Sequence, residues 1–270
     1  MLKSDGVRYV TVSQESVAAL SAPNPRPSVR VPVVETVKEA ATSMPPATPK
    51  LETEIPKPST ATNDSKSTAL AALRARVLPC TLCASLASSR TQVVFGVGNP
   101  GAELMFIGEA PGADEDEQGE PFIGKAGQLL TKIILTMGLS RETVYIANIL
   151  KCRPDTPGQT AGNRKPTPVE MSTCKPYLIE QIRIIQPRVL VALGATAVDG
   201  LLGKTEGISK LRGQWQQFQG IPLMPTYHPA YLLRNQALSE KRKVWEDMLR
   251  VMEKLAMPIS EKQRGFFLPA

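Results

Sequence analysis

The chain has 270 residues, and its 32 lysines and arginines against 25 aspartates and glutamates give a net charge of +7 at neutral pH. No stretch of the sequence reaches the roughly 18 consecutive apolar residues of a membrane span, which argues against an integral membrane protein. The first 20 residues lack the apolar core and the cleavage site of a secretory signal, so we expect a soluble protein of the cytosol.

The first 70 residues differ in composition from the rest of the chain. They contain nine prolines and a single aromatic residue, Tyr9. Such a segment cannot bury enough apolar surface to offset the entropy lost on ordering. We therefore predict a disordered proline-rich extension over residues 1–70, with a short element at residues 7–20, a folded domain over residues 71–256 and a C-terminal tail over residues 257–270.

Positive charge is concentrated in the second half of the chain. Residues 138–270 hold 19 lysines and arginines against 11 aspartates and glutamates, whereas four acidic residues follow one another at positions 114–117. A basic domain with one acidic pocket is typical of a protein that binds a polyanion and carries out its chemistry at a carboxylate-lined site.

The apolar segment from Leu104 to Ile107 predicts a buried strand. Apolar residues at helical spacing predict the helix that follows it: Leu129, Leu130, Ile133, Ile134 and Met137. The connection between them is rich in glycine, which lets the backbone approach a ligand closely. Because open sheets bind ligands beyond the carboxyl ends of their strands, we interpret this connection as part of a site, and most of the acidic run at 114–117 as solvated surface.

The same pattern continues along the chain. We predict strands at residues 144–150 and 188–194, a helix around residues 176–186 and a short helix after residue 196. A strand pair is predicted at residues 213–218 and 221–227, and an amphipathic helix at residues 239–256. Strands that alternate with helices predict a three-layer α/β/α sandwich with a mostly parallel central sheet.

The four cysteines form one close pair, Cys80 and Cys83, and two distant single residues, Cys152 and Cys174. Disulfides are disfavoured in the cytosol. A zinc site usually combines two close pairs, whereas an iron–sulfur cluster tolerates irregular spacing because four thiolates need only converge in space. Spacing alone favours a metal site and unrelated buried cysteines about equally.

His228 is the only histidine, and it directly follows the predicted strand at residues 221–227. A lone histidine is more often structural than catalytic, but this one lies at a strand's carboxyl end, where it would face the same crevice as the glycine-rich connection. There it could donate a hydrogen bond to a substrate oxygen. The residues that follow it, Leu232, Leu233 and Arg234, would suit insertion into a base stack and contact with a phosphate.

The segment between Cys152 and Cys174 contains Arg153, Arg164 and Lys165. These residues would suit phosphate contacts if the crevice binds DNA, and otherwise the segment is a simple connection.

Several motifs occur in collinear order: GEAPGADEDEQGEPFIGKAGQLL, YIANILKCRP, GNRKPTP, ALGATA, LRG and TYHPAYLLR. Together they closely resemble the family 4 uracil-DNA glycosylases, which are the iron–sulfur members of the uracil-DNA glycosylase superfamily. The resemblance covers roughly residues 72–255, so that it identifies residues 71–256 as the glycosylase domain.

The resemblance implies a 4Fe-4S cluster held by Cys80, Cys83, Cys152 and Cys174. This cluster is expected to be structural and to order loops near DNA. The sequence departs from the family pattern between the third and fourth cysteines, where the connection is a few residues longer than usual.

The resemblance also implies a pocket for a flipped-out uracil. Phe122 would stack on the base, Asn148 would bind its polar edge, and His228 would reach its O2 atom. Ala110 would lie beside the base. Glu115 would lie near C5, where bulk disfavours thymine.

The implied reaction is hydrolysis of the bond between uracil and deoxyribose, which releases the base and leaves an abasic site. Its transition state resembles an oxocarbenium ion, with negative charge on the departing base. His228 and Asn148 would stabilise that charge, and Glu109 would position water, with Asn163 as a weaker contributor. Ala110 stands where many relatives outside family 4 have a catalytic aspartate.

Two alternative functions remain close to this one. One is that of another member of the same superfamily, and the other is that of a protein with the same type of cofactor. A protein that traps uracil-DNA covalently would need a histidine after the third cysteine, which this chain lacks. A non-catalytic iron–sulfur DNA-binding module would not need the complete pocket. An esterase is disfavoured because no Gly-x-Ser-x-Gly motif occurs. A dehydrogenase is disfavoured because the Gly-x-Gly-x-x-Gly match at residues 96–101 precedes a predicted strand instead of opening a helix.

We expect the partner to be uracil-containing DNA, single- or double-stranded, bound by Arg164, Leu232, Leu233 and Arg234. The protein is expected to be a monomer of the bacterial cytosol or nucleoid. Its N-terminal extension would recruit a repair or replication partner or act as a tether.

Overall fold

The structure is a computed structural model that describes residues 62–154 and 163–268. Six strands run in chain order: β1 Val97–Gly98, β2 Leu104–Gly108, β3 Tyr145–Asn148, β4 Val189–Leu193, β5 Gln216–Phe218 and β6 Ile221–Thr226. The longer helices are α1 Asn63–Val77, α4 Lys125–Thr136, α5 Pro168–Ile185, α6 Ala195–Leu202 and α9 Leu238–Lys254. The shorter helices are α2 Ala84–Ser89, α3 Ala113–Gln118, α7 Ile208–Leu211, α8 Pro229–Arg234 and α10 Glu261–Gly265.

The six strands form one sheet in the order β1-β3-β2-β4-β6-β5. The four central strands are parallel, and β1 and β5 pair antiparallel at the two edges. All residues of β2, β3 and β4 are buried, as expected for strands that are covered on both faces. The parallel register brings the carboxyl ends of β2 and β3 together, since Gly108 pairs with Asn148.

Helices cover both faces of the sheet. Met105 and Ile107 point into a core formed with α1, α5 and α6, whereas Leu104 and Phe106 point into a second core formed with α4 and α9. This alternation follows from the two-residue period of a strand. The predicted three-layer α/β/α sandwich with a mostly parallel sheet is confirmed.

Two predicted boundaries differ from the structure. Helix α1 begins at Asn63, inside the predicted extension, and buries Leu70, Leu73 and Val77. The Thr62 side chain accepts the backbone N–H of Ser65 and caps this helix, so a helix that packs on the domain begins before the change in composition. The rest of the predicted extension and its short element at residues 7–20 lie outside the described residues.

The predicted C-terminal tail also contains packed structure. The indole N–H of Trp245 donates to the carbonyl of Gln263 at 2.6 Å, and the rings of Trp245 and Phe266 meet edge to face with centroids 5.6 Å apart. Gln263 Nε2 in turn donates to the carbonyl of Thr136 at 2.8 Å. Residues 261–266 therefore belong to the folded domain, because a buried tryptophan and its polar N–H both need partners.

The acidic run at 114–117, most of which was interpreted as solvated surface, is exposed at Asp114 and Glu117 but not throughout. Residues 113–118 form helix α3, whose acidic first turn complements the positive end of the helix dipole. Asp116 is buried and accepts the backbone N–H of Thr91 at 2.8 Å. No helix among the described residues is long and apolar enough to cross a membrane.

Candidate active site

A cavity of about 200 Å³ opens at the carboxyl edge of the parallel strands. It brings together residues from five separate segments of the chain: Ala110, Gly112, Glu115, Phe122, Ala126, Asn148, Asn163, His228 and Ala230. Six of the predicted site residues therefore line one cavity. Among the lining residues the only carboxylate is that of Glu115.

Asn148 is the last residue of β3, and its side chain points to the cavity from the floor. The residue is 1% exposed, and neither Oδ1 nor Nδ2 has a hydrogen-bond partner among the described residues. Buried amides are almost always hydrogen-bonded in folded proteins. An unpartnered amide that lines a cavity indicates that a polar ligand supplies the missing partners.

Phe122 forms an apolar wall beside this amide. Its ring lies 5.6 Å from that of His228 between centroids. Gly108 is essential to this arrangement, because a Cβ atom there would lie 2.4 Å from both Asn148 Oδ1 and Phe122 Cζ. The cavity thus combines one flat apolar surface with two directional polar groups, as expected for a site that binds a planar polar ring.

Both oxygens of the Glu115 carboxylate accept hydrogen bonds from the protein backbone. Its Oε2 accepts the N–H of Gly112 at 2.9 Å, and its Oε1 accepts the N–H groups of Ile123 and Gly124 at 3.1 Å. Glu115 therefore joins the start of α3 to the segment after Phe122. Its predicted contact near C5 of the base stays a prediction.

His228 begins helix α8 and is held in one tautomer. Its Nδ1 accepts the backbone N–H of Ala230 at 3.1 Å, so the proton of the neutral ring lies on Nε2. Burial, together with a smaller contribution from the charge of Arg234, lowers the pKa of His228 to about 4. The ring is therefore neutral at physiological pH and can donate one hydrogen bond from Nε2.

A buried ion pair supports the strand that carries His228. Thr226, at the end of β6, donates its hydroxyl to Asp247 Oδ2 at 2.6 Å, and Arg212 Nε donates to the same oxygen at 3.0 Å. The Arg212 guanidinium also lies 5.9 Å from the centre of the Tyr227 ring. Asp247 thereby fixes the backbone two residues before His228.

Glu109 and Asn163 differ in position. Glu109 is not among the residues that line the cavity, and its backbone carbonyl accepts the N–H of Leu150 at 3.1 Å. Asn163 lines the cavity: its Oδ1 accepts from Arg153 Nε at 2.8 Å, and its Nδ2 donates to the carbonyl of Pro111 at 3.4 Å.

The structure corrects one predicted DNA contact. Leu232 is 5% exposed and packs against Tyr227 and Val244, so it cannot enter a base stack without leaving its own core. The apolar face of helix α8 causes this burial. Leu233, which is 39% exposed, and the exposed Arg234 lie on the opposite side of that helix.

Arg164 forms a paired contact with a carboxylate. Its Nη1 and Nη2 donate to the two oxygens of Glu170 at 2.8 and 2.5 Å. These bonds, more than any other contact, lower the pKa of Glu170 to about 2. Arg164 thereby anchors the start of helix α5, and its predicted contact with DNA stays a prediction.

All four cysteines line a second cavity, although they come from three distant parts of the chain. None is in a disulfide. Three sulfur atoms accept hydrogen bonds: Cys152 from Arg90 Nη1 at 3.0 Å, Cys174 from the N–H of Lys151 at 3.3 Å, and Cys80 from the hydroxyl of Tyr177 at 3.4 Å. Within residues 62–154 and 163–268, no three histidine, cysteine or acidic side chains form a group that could hold a metal ion.

Burial raises the pKa of the Cys83 and Cys152 thiols, and it raises the pKa of Cys174 to about 11. These three thiols are therefore protonated at neutral pH in the absence of a bound group. Binding of a metal group would release these protons.

The sequence was also compared with known proteins. A family model described as "Uracil DNA glycosylase superfamily" matches residues 95–249, more than half of the chain. The type-4 uracil-DNA glycosylase of Thermotoga maritima is 46% identical over 177 residues, which cover 64% of this chain and 88% of that protein. The chain belongs to the type-4 uracil-DNA glycosylase family.

Archaeal members of the type-4 family are similar as well. The type-4 uracil-DNA glycosylase of Sulfurisphaera tokodaii is 39% identical over 205 residues, which cover 73% of this chain and 89% of that protein. The corresponding protein of Archaeoglobus fulgidus is 40% identical over 173 residues, with 61% and 83% covered. The family resemblance stated from the motifs is confirmed.

Two charged residues near β3 of this type-4 family member, Lys151 and Arg141, were missed by the sequence reasoning. Lys151 donates from Nζ to the carbonyl of Asn148 at 3.0 Å and to Gln181 Oε1 at 2.6 Å, and burial lowers its pKa to about 8. Arg141 donates to the carbonyls of Pro121 and Phe122 at 2.7 and 2.9 Å. The available signal was a charged residue close to a predicted buried strand: Lys151 directly follows the strand at residues 144–150, and Arg141 lies three residues before it.

Proposed function

We propose that this protein excises uracil from DNA by hydrolysis of the N-glycosidic bond, as a hydrolase of base-excision repair. Family membership supports this activity. The observation that carries it is the Asn148 amide, which is buried at the floor of the cavity with both polar atoms unpartnered. The cavity cannot admit a base that is still stacked in a duplex, so the target nucleotide must be flipped out.

Asn148 is proposed to select uracil by its hydrogen-bonding pattern. Its Nδ2 would donate to uracil O4, and its Oδ1 would accept the N3–H. Cytosine carries an exocyclic amine in place of O4 and has no proton on N3. With the amide in the same orientation, Nδ2 would therefore face another donor and Oδ1 would face another acceptor. Phe122 would stack on the base and hold it in the plane of this amide.

His228 is proposed to stabilise the departing base. Negative charge develops on uracil as the glycosidic bond breaks, and the Nε2–H of neutral His228 would donate to O2. Because Nδ1 already accepts a backbone N–H, the donor orientation exists before the substrate binds. Ala110 provides a small apolar contact at the cavity wall and no general base.

Glu109 is proposed as the group that positions the attacking water, with Asn163 as a weaker contributor. Glu109 follows β2 directly and lies outside the cavity wall, so it would act at the sugar rather than at the base. The sugar remains at the cavity mouth when the base is inserted, which is where a carboxylate would stabilise an oxocarbenium-like transition state. DNA contacts are proposed for Leu233, Arg234 and Arg164.

The cysteine cavity is proposed to hold a 4Fe-4S cluster. The donor set fits, because four thiols line one cavity and three of the sulfurs accept N–H or O–H hydrogen bonds, which stabilise thiolate ligands. Zinc fits less well, because a single ion with Zn–S bonds of about 2.3 Å requires closely grouped donors, and the described residues contain no group of three that could hold one ion. When bound, the cluster would cross-link distant segments and would take no part in hydrolysis.

One assay tests the proposed activity. Purified protein should release free uracil from an oligonucleotide with a single U and leave an alkali-labile site, without added divalent metal. Asn148→Ala should lower single-turnover excision by about 100-fold or more, the loss expected on removal of one transition-state donor. Asn235→Ala removes an asparagine that lies at the end of helix α8 and does not line the cavity, so it should leave excision unchanged. No release by folded, iron-loaded wild-type protein would falsify the enzyme assignment.

The proposed partners follow from the same activity. Uracil-containing DNA would be the substrate, and the protein would act as a monomer in the cytosol or nucleoid. Residues 1–70 are proposed to bind a repair or replication protein or to act as a tether. Deletion of residues 1–61 should leave excision from a short oligonucleotide intact, and loss of that activity would contradict a tether or recruitment role.

A further inference from the structure

Phe122 has an unusual backbone conformation. Its φ angle is 56°, in the left-handed region that residues with a side chain rarely occupy. Such a conformation persists only where the surroundings hold it in place. The backbone around the stacking aromatic ring must therefore be restrained by its neighbours.

Two charged side chains bind the peptide groups around Phe122. On one side, Glu115 Oε1 accepts the N–H groups of Ile123 and Gly124, both at 3.1 Å. On the other side, Arg141 donates from Nη2 to the carbonyl of Pro121 at 2.7 Å and from Nη1 to the carbonyl of Phe122 at 2.9 Å. Four backbone polar groups of residues 121–124 are thus held by one carboxylate and one guanidinium.

Arg141 cannot act on the base directly. It precedes β3, is half-buried, and is not among the residues that line the cavity. Its Nη1 also lies 3.4 Å from Thr131 Oγ1 in helix α4, which fixes the guanidinium relative to that helix. Any effect of Arg141 on the reaction must therefore pass through the backbone of Phe122.

We propose that Arg141 is a positioning residue that, together with Glu115, holds Phe122 in its left-handed conformation and so keeps the stacking ring parallel to the base. Without the two bonds from Arg141, the peptide groups of Pro121 and Phe122 can rotate toward the ordinary negative φ region. The ring then leaves its place beside Asn148 and His228. The inference rests on the proposed excision of uracil.

Arg141→Met should lower single-turnover uracil excision by about 10- to 100-fold. A shift of the bound base by about 1 Å from its reactive position can lower the rate by about 100-fold. The inhibition constant for free uracil should rise at least about fivefold, since the stack contributes to binding of the base. Binding to a duplex with a tetrahydrofuran abasic analogue, which has no base to stack, should change by less than about threefold. Arg141→Lys should be intermediate, because lysine keeps the charge but not the paired donors.

Arg188→Met is the matched control. Arg188 pairs with Glu103 at 3.0 Å on the surface, at the amino end of β4 and away from the cavity. Its loss should change none of these quantities.

A double-mutant cycle tests the route of the effect. If Arg141 acts only through Phe122, then Arg141→Met should cause no further loss in a Phe122→Ala background. Equal proportional losses in the two backgrounds would overturn the proposal, as would wild-type excision and uracil inhibition in Arg141→Met.

Hydrogen exchange gives a readout that does not depend on activity. Amide exchange in a peptide covering residues 119–125 should be faster in Arg141→Met than in wild type or Arg188→Met, and unchanged exchange would overturn the proposal. An inactive wild-type protein would instead refute the proposed function, while the exchange experiment would still decide the role of Arg141.

Discussion

Asn148 and His228 illustrate two ways in which burial prepares a side chain for a ligand. The Asn148 amide has lost its contacts with water and gained none from the protein, a cost of roughly 1–3 kcal/mol for each unpaired group. His228 has lost water as well, and its neutral form is the one that burial favours. Both residues therefore enter the reaction in a defined state.

The pKa of His228 predicts how the stability of the protein depends on pH. The folded pKa of about 4 lies below the ordinary value of 6.5, so the unfolded chain binds the proton first as pH falls. Stability from this residue is present above pH 6.5 and is lost progressively between pH 6.5 and 4. The loss should be about 1–3 kcal/mol, at 1.36 kcal/mol for each pKa unit.

The measurement is urea unfolding at several pH values for wild type and His228→Gln, which cannot titrate. The difference in unfolding free energy between the two proteins should shrink as pH falls through this window, whereas excision by wild type should not respond to His228 between pH 6 and 8. A constant difference between the two proteins would show that His228 is not held neutral by the fold.

Residue types at strand ends indicated most of the cavity, but not how each side chain is used. Glu115 was predicted near the base, and the structure shows both of its oxygens bound to backbone N–H groups. Leu232 was predicted to enter DNA, and it is buried. These outcomes depend on contacts with residues up to 12 positions away, which no local pattern encodes.

At the scale of elements, periodicity predicted the strands better than the helix ends. Strands β3, β4 and β6 lie within the predicted apolar segments, and β2 extends one residue beyond its own segment, to Gly108. Helix α5 begins at Pro168 rather than near residue 176, because Thr167 accepts the N–H of Glu170 and caps an earlier start. The helix then continues through Pro176, which the sequence had suggested as a boundary.

The contact between helix α4 and the cavity wall predicts a strong effect of a single methyl group. A Cβ atom at Gly127 would lie 1.8 Å from the carbonyl oxygen of Phe122, so the helix or the wall must move. Gly127→Ala should cost about 1–3 kcal/mol of unfolding free energy, in the range of overpacked cores, and should lower excision. Urea unfolding and single-turnover kinetics measure the two effects.

Gly207→Ala provides the comparison for that substitution. Nothing lies within 4 Å of a Cβ atom at Gly207, and its φ of −58° is open to alanine. This variant should be neutral or slightly stabilised. Similar behaviour of the two variants would mean that the wall adapts and that close packing at Gly127 is unimportant.

For the whole molecule, the proposed cluster predicts a large change in thermal stability. It would join segments near residues 80, 152 and 174 of one folded unit, and loss of such a cross-link typically costs a few kcal/mol. Iron removal should lower the unfolding temperature by about 5–15 °C. The native protein should be brown, with about four irons per chain and no zinc.

Thermal unfolding before and after chelation, with metal analysis of each sample, measures this effect. Cys152→Ser should start at the lower temperature and should not respond to the chelator. Stoichiometric zinc without iron, or an unfolding temperature that iron removal leaves unchanged, would contradict the proposed cluster.

Sequence alone determined the layer architecture, the order of the strands along the chain and the family, because periodicity and motif spacing are local properties. The tertiary structure decided which residues meet. It placed four cysteines from distant segments around one cavity, left the Asn148 amide buried and unpartnered, and brought Arg141 and Glu115 to opposite sides of Phe122. These relations arise from the parallel sheet, which brings the ends of separate strands to one edge, and from packing across it, so the sequence pattern could not reveal them.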